Sequence, residues 1–211
     1  MVEDIVIAGT SGFAKEIEWL IERVNKSQPK YRFLGFVGQD EDDRDINLFG
    51  SDEDIIRADS KLNVVIAIAN PEVRRKLHSS YAKNPNIIFP NIIDPSVLFS
   101  STVFCGLGNI ICAGSIFTID IQIGNFNIIN LDCTIGHEVS ISDYVTLSPS
   151  VNISGNVALN SGVSVGTGSQ IIPGLEIGEN TQVGAGAVVV CNLPSNCTAV
   201  GVPAKVVRMG D

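Results

Sequence analysis

The sequence has no hydrophobic run near the roughly 20 residues that a membrane span requires, and its first eight residues carry acids instead of the basic start of a signal peptide. Basic residues are also scarce. Lys and Arg number 14 against 23 Asp and Glu, a net charge of −9, which excludes the dense positive surface that nucleic-acid binding needs. We therefore expect a soluble, cytoplasmic protein that does not bind nucleic acid or insert into membranes.

Cysteines and aromatic residues are few as well. The five cysteines are odd in number and have no CxxC spacing, so neither a disulfide framework nor a zinc knuckle is predicted. We expect them to be small apolar residues of a reduced core. Aromatic residues make up 6% of the chain whereas glycine occurs 20 times, which indicates many tight turns instead of a bundle of surface helices.

The first ninety residues alternate apolar runs with helical patterns. An apolar run at 5–8 precedes a glycine turn at 9–12, and further apolar runs follow at 33–37 and 64–69. The residues after the glycine turn have the i, i+3, i+4, i+7 spacing of one helical face: Ile17, Leu20, Ile21 and Val24. Two more helices are predicted, the first with a Ser51 cap and the second with Asn70 as its cap and Val73, Leu77 and Tyr81 on one face. Residues 1–90 are therefore predicted to form a small α/β, Rossmann-like half domain with a parallel sheet.

From residue 93 onward the period changes to six. No polar side chain interrupts a column of every sixth residue, which consists of Ile93, Phe99, Cys105, Ile111, Phe117, Ile123, Ile129, Ile135, Ile141, Leu147, Ile153, Leu159, Val165, Ile171, Ile177, Val183 and Val189. A period of six fits a parallel β-helix in which each hexad supplies one flat side and one corner. We predict this β-helix over residues 91–211, with a C-terminal cap.

The hexad repeat resembles the hexapeptide acyltransferases, and this resemblance implies a left-handed β-helix. Four further motifs restrict the resemblance to one family of these enzymes. They are Gly9-Thr10-Ser11-Gly12, Ile66-Ala67-Ile68-Ala69-Asn70, Gly136-His137-Glu138 and Gly201-Val202-Pro203-Ala204-Lys205. Together they are similar to the sugar acetyltransferases of the NeuD and PglD type over nearly the whole chain. The resemblance implies acetyl-CoA as acyl donor, no metal, and a homotrimer with active sites between subunits.

His137 is the candidate general base because an imidazole can accept a proton near neutral pH and a coil corner projects it outward. If three hexads make one coil, position 155 stacks on 137, and Gly155 could offer an unshielded N–H to the oxyanion of acyl transfer. The resemblance assigns Glu138 the role of raising the basicity of His137. From the residues alone, alternatives remain: His137 could be a surface histidine, Glu138 a solvated carboxylate and Gly155 an ordinary turn glycine. The other histidine, His78, lies on a predicted helix and receives no role.

The resemblance also implies the acyl-donor contacts. These fall at Thr146, Gly155, Thr167 and Ala185, and Thr146 stands where a close relative has a histidine. Asn130 matches a family asparagine near the substrate, although a corner asparagine can equally be a turn former.

The glycine turn of the N-terminal domain would place backbone N–H groups at the start of a helix, which suits a phosphate. The relatives bind a nucleotide sugar here, which implies Thr10, Ser11, Gly12, Gly38, Gln39 and Ala69 as substrate-binding residues. Their acidic pair after the second strand is replaced in this chain by Gly38 and Gln39.

The favoured function is N-acetylation of a nucleotide-linked amino sugar by direct attack on the thioester. O-acetylation of sialic acid or a related sugar, a formyl or longer acyl donor, and a non-catalytic trimeric scaffold or binding protein remain alternatives. A γ-type carbonic anhydrase is excluded, since that metal site needs three histidines and the repeat supplies one.

Overall fold

A computed structural model describes residues 2–38 and 46–210. The predicted substrate residue Gln39 lies outside the described residues. The chain divides into two compact units, Met1–Pro95 and Ser96–Asp211, a few residues after the boundary that we place at 90/91 from the sequence.

The first unit is built on a parallel sheet with the strand order β3-β2-β1-β4-β5. Its strands are β1 (Glu3–Ala8), β2 (Tyr31–Val37), β3 (Leu48–Gly50), β4 (Leu62–Ile66) and β5 (Ile87–Ile88), and its helices are α1 (Gly12–Ser27), α2 (Asp52–Ile56) and α3 (Pro71–Tyr81). The three predicted strands and three predicted helices are confirmed. The outer strands β3 and β5 have only 3 and 2 residues, which is too short for recognition by pattern.

Two predicted helix caps in this unit are confirmed, but one predicted helix face is partly wrong. The Asn70 side chain accepts hydrogen bonds from the N–H groups of Glu72 and Val73, and Ser51 forms a capping box with Asp54. On α3, Val73 is 42% exposed whereas Arg74 is buried. The Arg74 guanidinium donates to the carbonyl oxygens of Ile68 and Ala69, which satisfies a buried cation at a position that the predicted face does not include.

The second unit is a left-handed parallel β-helix of very short strands. After β6 (Ile92–Ile93) in the first unit come β7 (Leu98–Phe99), β8 (Phe104–Cys105), β9 (Ile110–Ile111), β10 (Ile116–Phe117), β11 (Gln122–Ile123), β12 (Ile128–Ile129), β13 (Thr134–Ile135), β14 (Ser140–Ile141), β15 (Thr146–Leu147), β16 (Asn152–Ile153), β17 (Ala158–Leu159), β18 (Ser164–Val165), β19 (Gln170–Ile171), β20 (Glu176–Ile177), β21 (Gln182–Val183), β22 (Val188–Val189), β23 (Cys197–Val200) and β24 (Lys205–Met209). Residues eighteen apart pair from coil to coil, as Ile116 does with Thr134. Three hexads therefore make one coil.

Three sheets form the sides of this β-helix. Sheet I contains β9, β12, β15, β18, β21, β23 and β24, sheet II contains β7, β10, β13, β16, β19 and β22, and sheet III contains β8, β11, β14, β17 and β20. The last two strands of sheet I form an antiparallel hairpin, since β24 runs against β23. This hairpin follows the last coil and occupies the position of the C-terminal cap that we predict from the sequence.

The predicted inward column is buried from Ile111 through Val189. Its first three members, Ile93, Phe99 and Cys105, are only partly buried or exposed, because they lie where the repeat begins and the column has few members to pack against. Phe99 compensates by stacking on the ring of Phe117 in the next coil, with 4.7 Å between ring centroids.

The corners have a feature that the hydrophobic pattern does not reveal. A left-handed backbone conformation recurs at every sixth position, three residues after each inward residue from Cys105 to Val183. These positions are Gly108, Gly114, Asp120, Phe126, Asp132, Glu138, Tyr144, Ser150, Asn156, Gly162, Gly168, Gly174, Asn180 and Gly186. Each corner thus reverses the usual alternation of side chains, so that consecutive residues can face the same way.

All five cysteines are free thiols. Cys112, Cys133 and Cys197 are buried, as expected of core residues, but Cys191 is exposed and the core interpretation is wrong for it. Burial raises the pKa of Cys133 to about 11. Among the residues that the structure describes, no helix is long and apolar enough to cross a membrane.

Candidate active site

His137 and Glu138 lie at the corner between β13 and β14. The Nδ1 atom of His137 is 2.9 Å from a carboxylate oxygen of Glu138. Neighbouring side chains of a flat strand would point apart, but Glu138 has a φ of 59°, which turns its side chain back toward the ring. When the imidazole is neutral and donates to this carboxylate through Nδ1–H, Nε2 is the remaining acceptor of the ring.

The His137 ring lies over Gly155 in the next coil. A Cβ atom built at position 155 would fall 2.5 Å from Cε1 and 2.9 Å from Cδ2 of the ring, so that only glycine fits beneath this imidazole. The Asn156 N–H donates to the carbonyl oxygen of His137 over 2.7 Å, which fixes the register of the two corners. A coil of eighteen residues predicts that position 155 stacks on position 137, and the structure confirms this stacking.

Gly155 is nevertheless covered. It is buried in the single chain by the imidazole itself, whereas we expect an unshielded glycine from the sequence. Within residues 2–38 and 46–210, no protein acceptor pairs with the Gly155 N–H. A backbone donor without a protein acceptor therefore belongs to the glycine that the ring of the candidate base covers.

The four predicted acyl-donor residues lie on different sides of one β-helix. Thr167 and Ala185 are exposed and occupy equivalent positions of consecutive coils at the corner between sheets I and II. Thr146 is on sheet I itself and is only 9% exposed. Gly155 lies at the other end of sheet II, at the corner that carries His137. One chain therefore does not gather the four residues around a single groove.

Asn130 lies on a different corner from His137, with strand β13 between them. Its side-chain oxygen accepts a hydrogen bond from the N–H of Leu131 over 2.7 Å. This local bond engages the side-chain oxygen within its own turn. A substrate contact by Asn130 stays a prediction.

The first unit has a cleft of about 600 Å³ at the carboxyl ends of β1, β2 and β4. Of the predicted substrate residues, Thr10, Ser11 and Gly38 line it. Gly12 begins α1 beside the cleft, and the carbonyl of Ala69 accepts from Arg74. Ser11 holds the N-cap position of α1 without a side-chain capping bond, so its hydroxyl does not compete with a ligand for the first N–H groups of the helix.

Sequence reasoning missed the acids of this cleft. Asp52 and Glu53 line it from the start of α2, and the Tyr81 hydroxyl donates to Asp52 over 2.5 Å. Burial and the Asp52 carboxylate raise the pKa of Tyr81 well above its usual value, so that it remains a donor. The run Ser51-Asp52-Glu53-Asp54 is the sequence signal that could have indicated an acidic cleft. The same residues are, however, explained by a helix N-cap, so the run does not by itself indicate a binding site. The described residues contain no cluster of three His, Cys, Asp or Glu side chains that could hold a metal ion.

The chain is similar to several proteins of known structure. Residues 4–81 match the family model of the PglD N-terminal domain. WeeI from Acinetobacter baumannii AYE is 30% identical, with 98% of this chain and 100% of that chain covered and a TM-score of 0.86. PerB from Caulobacter crescentus, solved with CoA and GDP-perosamine, is 29% identical, with 98% of each chain covered and a TM-score of 0.89.

Two further solved structures are similar to the chain. The acetyltransferase domain of PglB from Neisseria gonorrhoeae FA1090 is 22% identical, with 97% of this chain and 100% of that chain covered and a TM-score of 0.90, which supports the fold alone. A mutant of perosamine N-acetyltransferase from Caulobacter crescentus, solved with CoA and GDP-perosamine, is 29% identical, with 98% of this chain and 97% of that chain covered and a TM-score of 0.85. None of the curated proteins matches the chain by sequence.

Proposed function

Because the chain belongs to the PglD-like family of sugar acetyltransferases, we propose that it transfers an acetyl group from acetyl-CoA to the amino group of a nucleotide-linked amino sugar. Membership of an enzyme family makes the scaffold interpretation wrong. The observation that carries the proposal is the His137 ring, which is bonded to Glu138 and lies over Gly155. An amine acceptor is favoured over a hydroxyl because the relative from Caulobacter crescentus is an N-acetyltransferase.

In the proposed reaction the neutral amine attacks the thioester carbonyl carbon, and Nε2 of His137 takes a proton from the nitrogen as the new C–N bond forms. The Gly155 N–H stabilises the negative oxygen of the tetrahedral intermediate. When the C–S bond breaks, the proton on His137 passes to the CoA sulfur. The products are the acetamido sugar and CoA, and no covalent enzyme intermediate forms.

The separation of the predicted acyl-donor residues supports a homotrimer with shared sites. Sheet II lies between the corner with Thr167 and Ala185 and the corner with Gly155. A cofactor that runs along the coils would contact both sets only if the second corner came from a neighbouring subunit. We therefore propose that each site is completed by two copies of the chain, in the cytoplasm, where CoA and nucleotide sugars are found.

The cleft of the first unit is proposed to hold the nucleoside diphosphate. The glycine turn and the α1 N-terminus face it, which favours phosphate groups. Asp52 and Glu53 supply acceptors for ribose hydroxyls or base N–H groups, in place of the acidic pair at whose aligned positions this chain has Gly38 and Gln39.

The test is an assay of CoA thiol release with acetyl-CoA and matched GDP- and UDP-linked 4-amino sugars, followed by mass analysis of the product. We expect release above background with at least one amino sugar and an N-acetylated product. Acetylation of a hydroxyl would make O-acetyl transfer the correct function. Absence of release with every sugar of both nucleotide series would contradict the proposal.

Replacing Glu138 by Gln should lower kcat about tenfold while leaving the KM for acetyl-CoA within twofold, because a charged hydrogen bond to the imidazole becomes a neutral one. The measurement is a set of steady-state rates for both proteins at varied acetyl-CoA concentration. An unchanged kcat would mean that Glu138 is a surface carboxylate without influence on the base.

A further inference from the structure

Asn156 follows Gly155 at its corner and lies one coil after Glu138. The strands on both sides of the two corners pair in register, β13 with β16 and β14 with β17, so position 156 stacks on position 138. Both residues have a left-handed backbone, with a φ of 56° at Asn156 and 59° at Glu138. Their Cα–Cβ bonds therefore run in parallel, about 4.8 Å apart.

The reactive end of the His137 ring lies beside Asn156. Of the ring atoms, Nε2 comes nearest to the point that a Cβ atom of residue 155 would occupy. Glu138 turns back toward the side chain of the residue before it and meets Nδ1 there. By the same geometry, Asn156 turns back toward the place that Nε2 occupies. Because asparagine is one methylene group shorter than glutamate, its amide stops short of the ring and leaves room for a reacting atom.

The side-chain amide of Asn156 is available to a ligand. Within residues 2–38 and 46–210 it forms no hydrogen bond with the protein, and the residue is exposed. Asn180 is the other asparagine of the recurring left-handed set, and its Nδ2 donates to Oδ1 of Asn196 over 3.2 Å. A corner asparagine can thus bond to a residue of the protein, but Asn156 stacks on a glutamate that bonds to His137 instead.

The corner beyond Asn156 is open. The strands of the next coil also pair in register, so position 174 stacks on position 156. This position holds Gly174, with a φ of 78°. Apart from its chain neighbours, a Cβ atom built there would meet no atom of the described residues within 4 Å. The open side of this corner therefore gives a thioester access to the amide.

Two N–H donors without a protein acceptor in the described part of the chain come from consecutive residues beside the imidazole. One is the backbone N–H of Gly155 and the other is Nδ2 of Asn156. Backbone N–H groups and asparagine side chains are the donors that stabilise the oxyanion of acyl transfer in many enzymes. The corner thus carries the elements of a two-donor oxyanion hole next to the candidate base.

We propose that Asn156 is a further catalytic residue, whose Nδ2 donates to the thioester oxygen together with the Gly155 N–H. The inference rests on the proposed function, since that reaction forms the oxyanion. As the acceptor nitrogen bonds to the carbonyl carbon, the π pair of the C=O bond moves to the oxygen, where the two donors stabilise it. The C=O bond forms again when the C–S bond breaks and the electron pair of that bond leaves with the CoA sulfur.

The test compares Asn156→Asp and Asn156→Gly with the control Asn180→Gly. Aspartate and glycine both occupy left-handed corners of this repeat, so either variant preserves a purely structural turn, whereas both remove the N–H donor. We expect kcat to fall by about 10²–10³-fold in both Asn156 variants, while the dissociation constant for CoA changes by less than threefold. The control should stay within twofold of the wild type. The measurement is single-turnover thiol release at saturating acetyl-CoA, with calorimetry for CoA binding.

Wild-type rates in both Asn156 variants would overturn the proposal and leave a turn-forming residue. A fast Asn156→Asp with a slow Asn156→Gly would overturn it as well, because a carboxylate retains the acceptor and lacks the donor. Transfer to a hydroxyl would correct the proposed acceptor but leave the expected losses unchanged, since both acceptors form the same oxyanion. Hydrolysis of acetyl-CoA, which also passes through this oxyanion, supplies the readout if no sugar accepts the acetyl group.

Discussion

His137→Ala should lower kcat for sugar acetylation by about 10³-fold, while the dissociation constant for CoA changes by less than threefold. The variant removes the one imidazole in residues 96–211, and a positioned general base contributes on the order of 10²–10⁴-fold. Without it, the amine must lose its proton to water during attack on the thioester. The measurement is single-turnover thiol release at saturating acetyl-CoA.

The matched control is His78→Ala, the other histidine of the chain. His78 lies on α3 and packs edge-to-face on Phe89, with 5.1 Å between ring centroids. Its removal should lower stability modestly and leave kcat unchanged. If His137→Ala retained more than a tenth of the wild-type rate, or if His78→Ala lost as much activity, His137 would not be the base.

Because His137 is exposed, the effect of His137→Ala on the rate can be separated from an effect on stability. Its side chain is 59% exposed, so truncation leaves no buried cavity and should hardly change the thermal unfolding temperature. A loss of rate together with a large loss of stability would indicate a structural role instead. This separation of rate from stability is what distinguishes a catalytic corner histidine from an ordinary turn residue.

The β-helix could be predicted because its periodicity is a direct consequence of its geometry. Eighteen residues make a coil, so a column of aliphatic residues at every sixth position is the core, and the column is buried from Ile111 onward. The same arithmetic places Gly155 against His137. Register in a solenoid is local, since each coil contacts only its neighbours, and long-range folding therefore adds little uncertainty.

The N-terminal cleft could not be predicted as fully, because its lining comes from turns that no period relates. The Tyr81 hydroxyl reaches Asp52 across 29 positions of sequence, and a helical pattern treats Tyr81 only as an apolar residue. Arg74 illustrates the same limit. Its burial depends on two carbonyl groups at the end of β4, which hydrophobicity alone does not register.

The acyl-donor residues show a third limit. Sequence alignment predicts Thr146, Thr167, Ala185 and Gly155 as one set, although a single chain distributes them over three regions of the β-helix. Alignment records which positions match a family and not which copy of the chain provides them. The geometry of the coil shows that sheet II separates the two corners, and our proposal that a second copy completes the site rests on this separation.

Gly155→Ala should lower kcat by about 10²-fold, because the new methyl group would overlap the His137 ring and displace it from the thioester. The backbone of Gly155 is not in the left-handed region, so alanine is compatible with it. In the background of His137→Ala the ring is absent, and adding Gly155→Ala should then change the remaining rate by less than threefold. Additive losses in this double-mutant cycle would mean that the two residues act independently.

Gly155→Pro extends the experiment to the oxyanion. Proline occupies the equivalent corner one coil later, as Pro173, so the fold accepts a proline ring at this position of the coil. Alanine and proline both displace the imidazole, but only proline removes the N–H donor. If that N–H stabilises the tetrahedral oxyanion, Gly155→Pro should be slower than Gly155→Ala by a further factor of about 10²–10³, the usual effect of losing one such donor. Equal rates for the two variants, with unfolding temperatures that agree, would leave His137 and Glu138 as the chemical machinery and remove Gly155 from it.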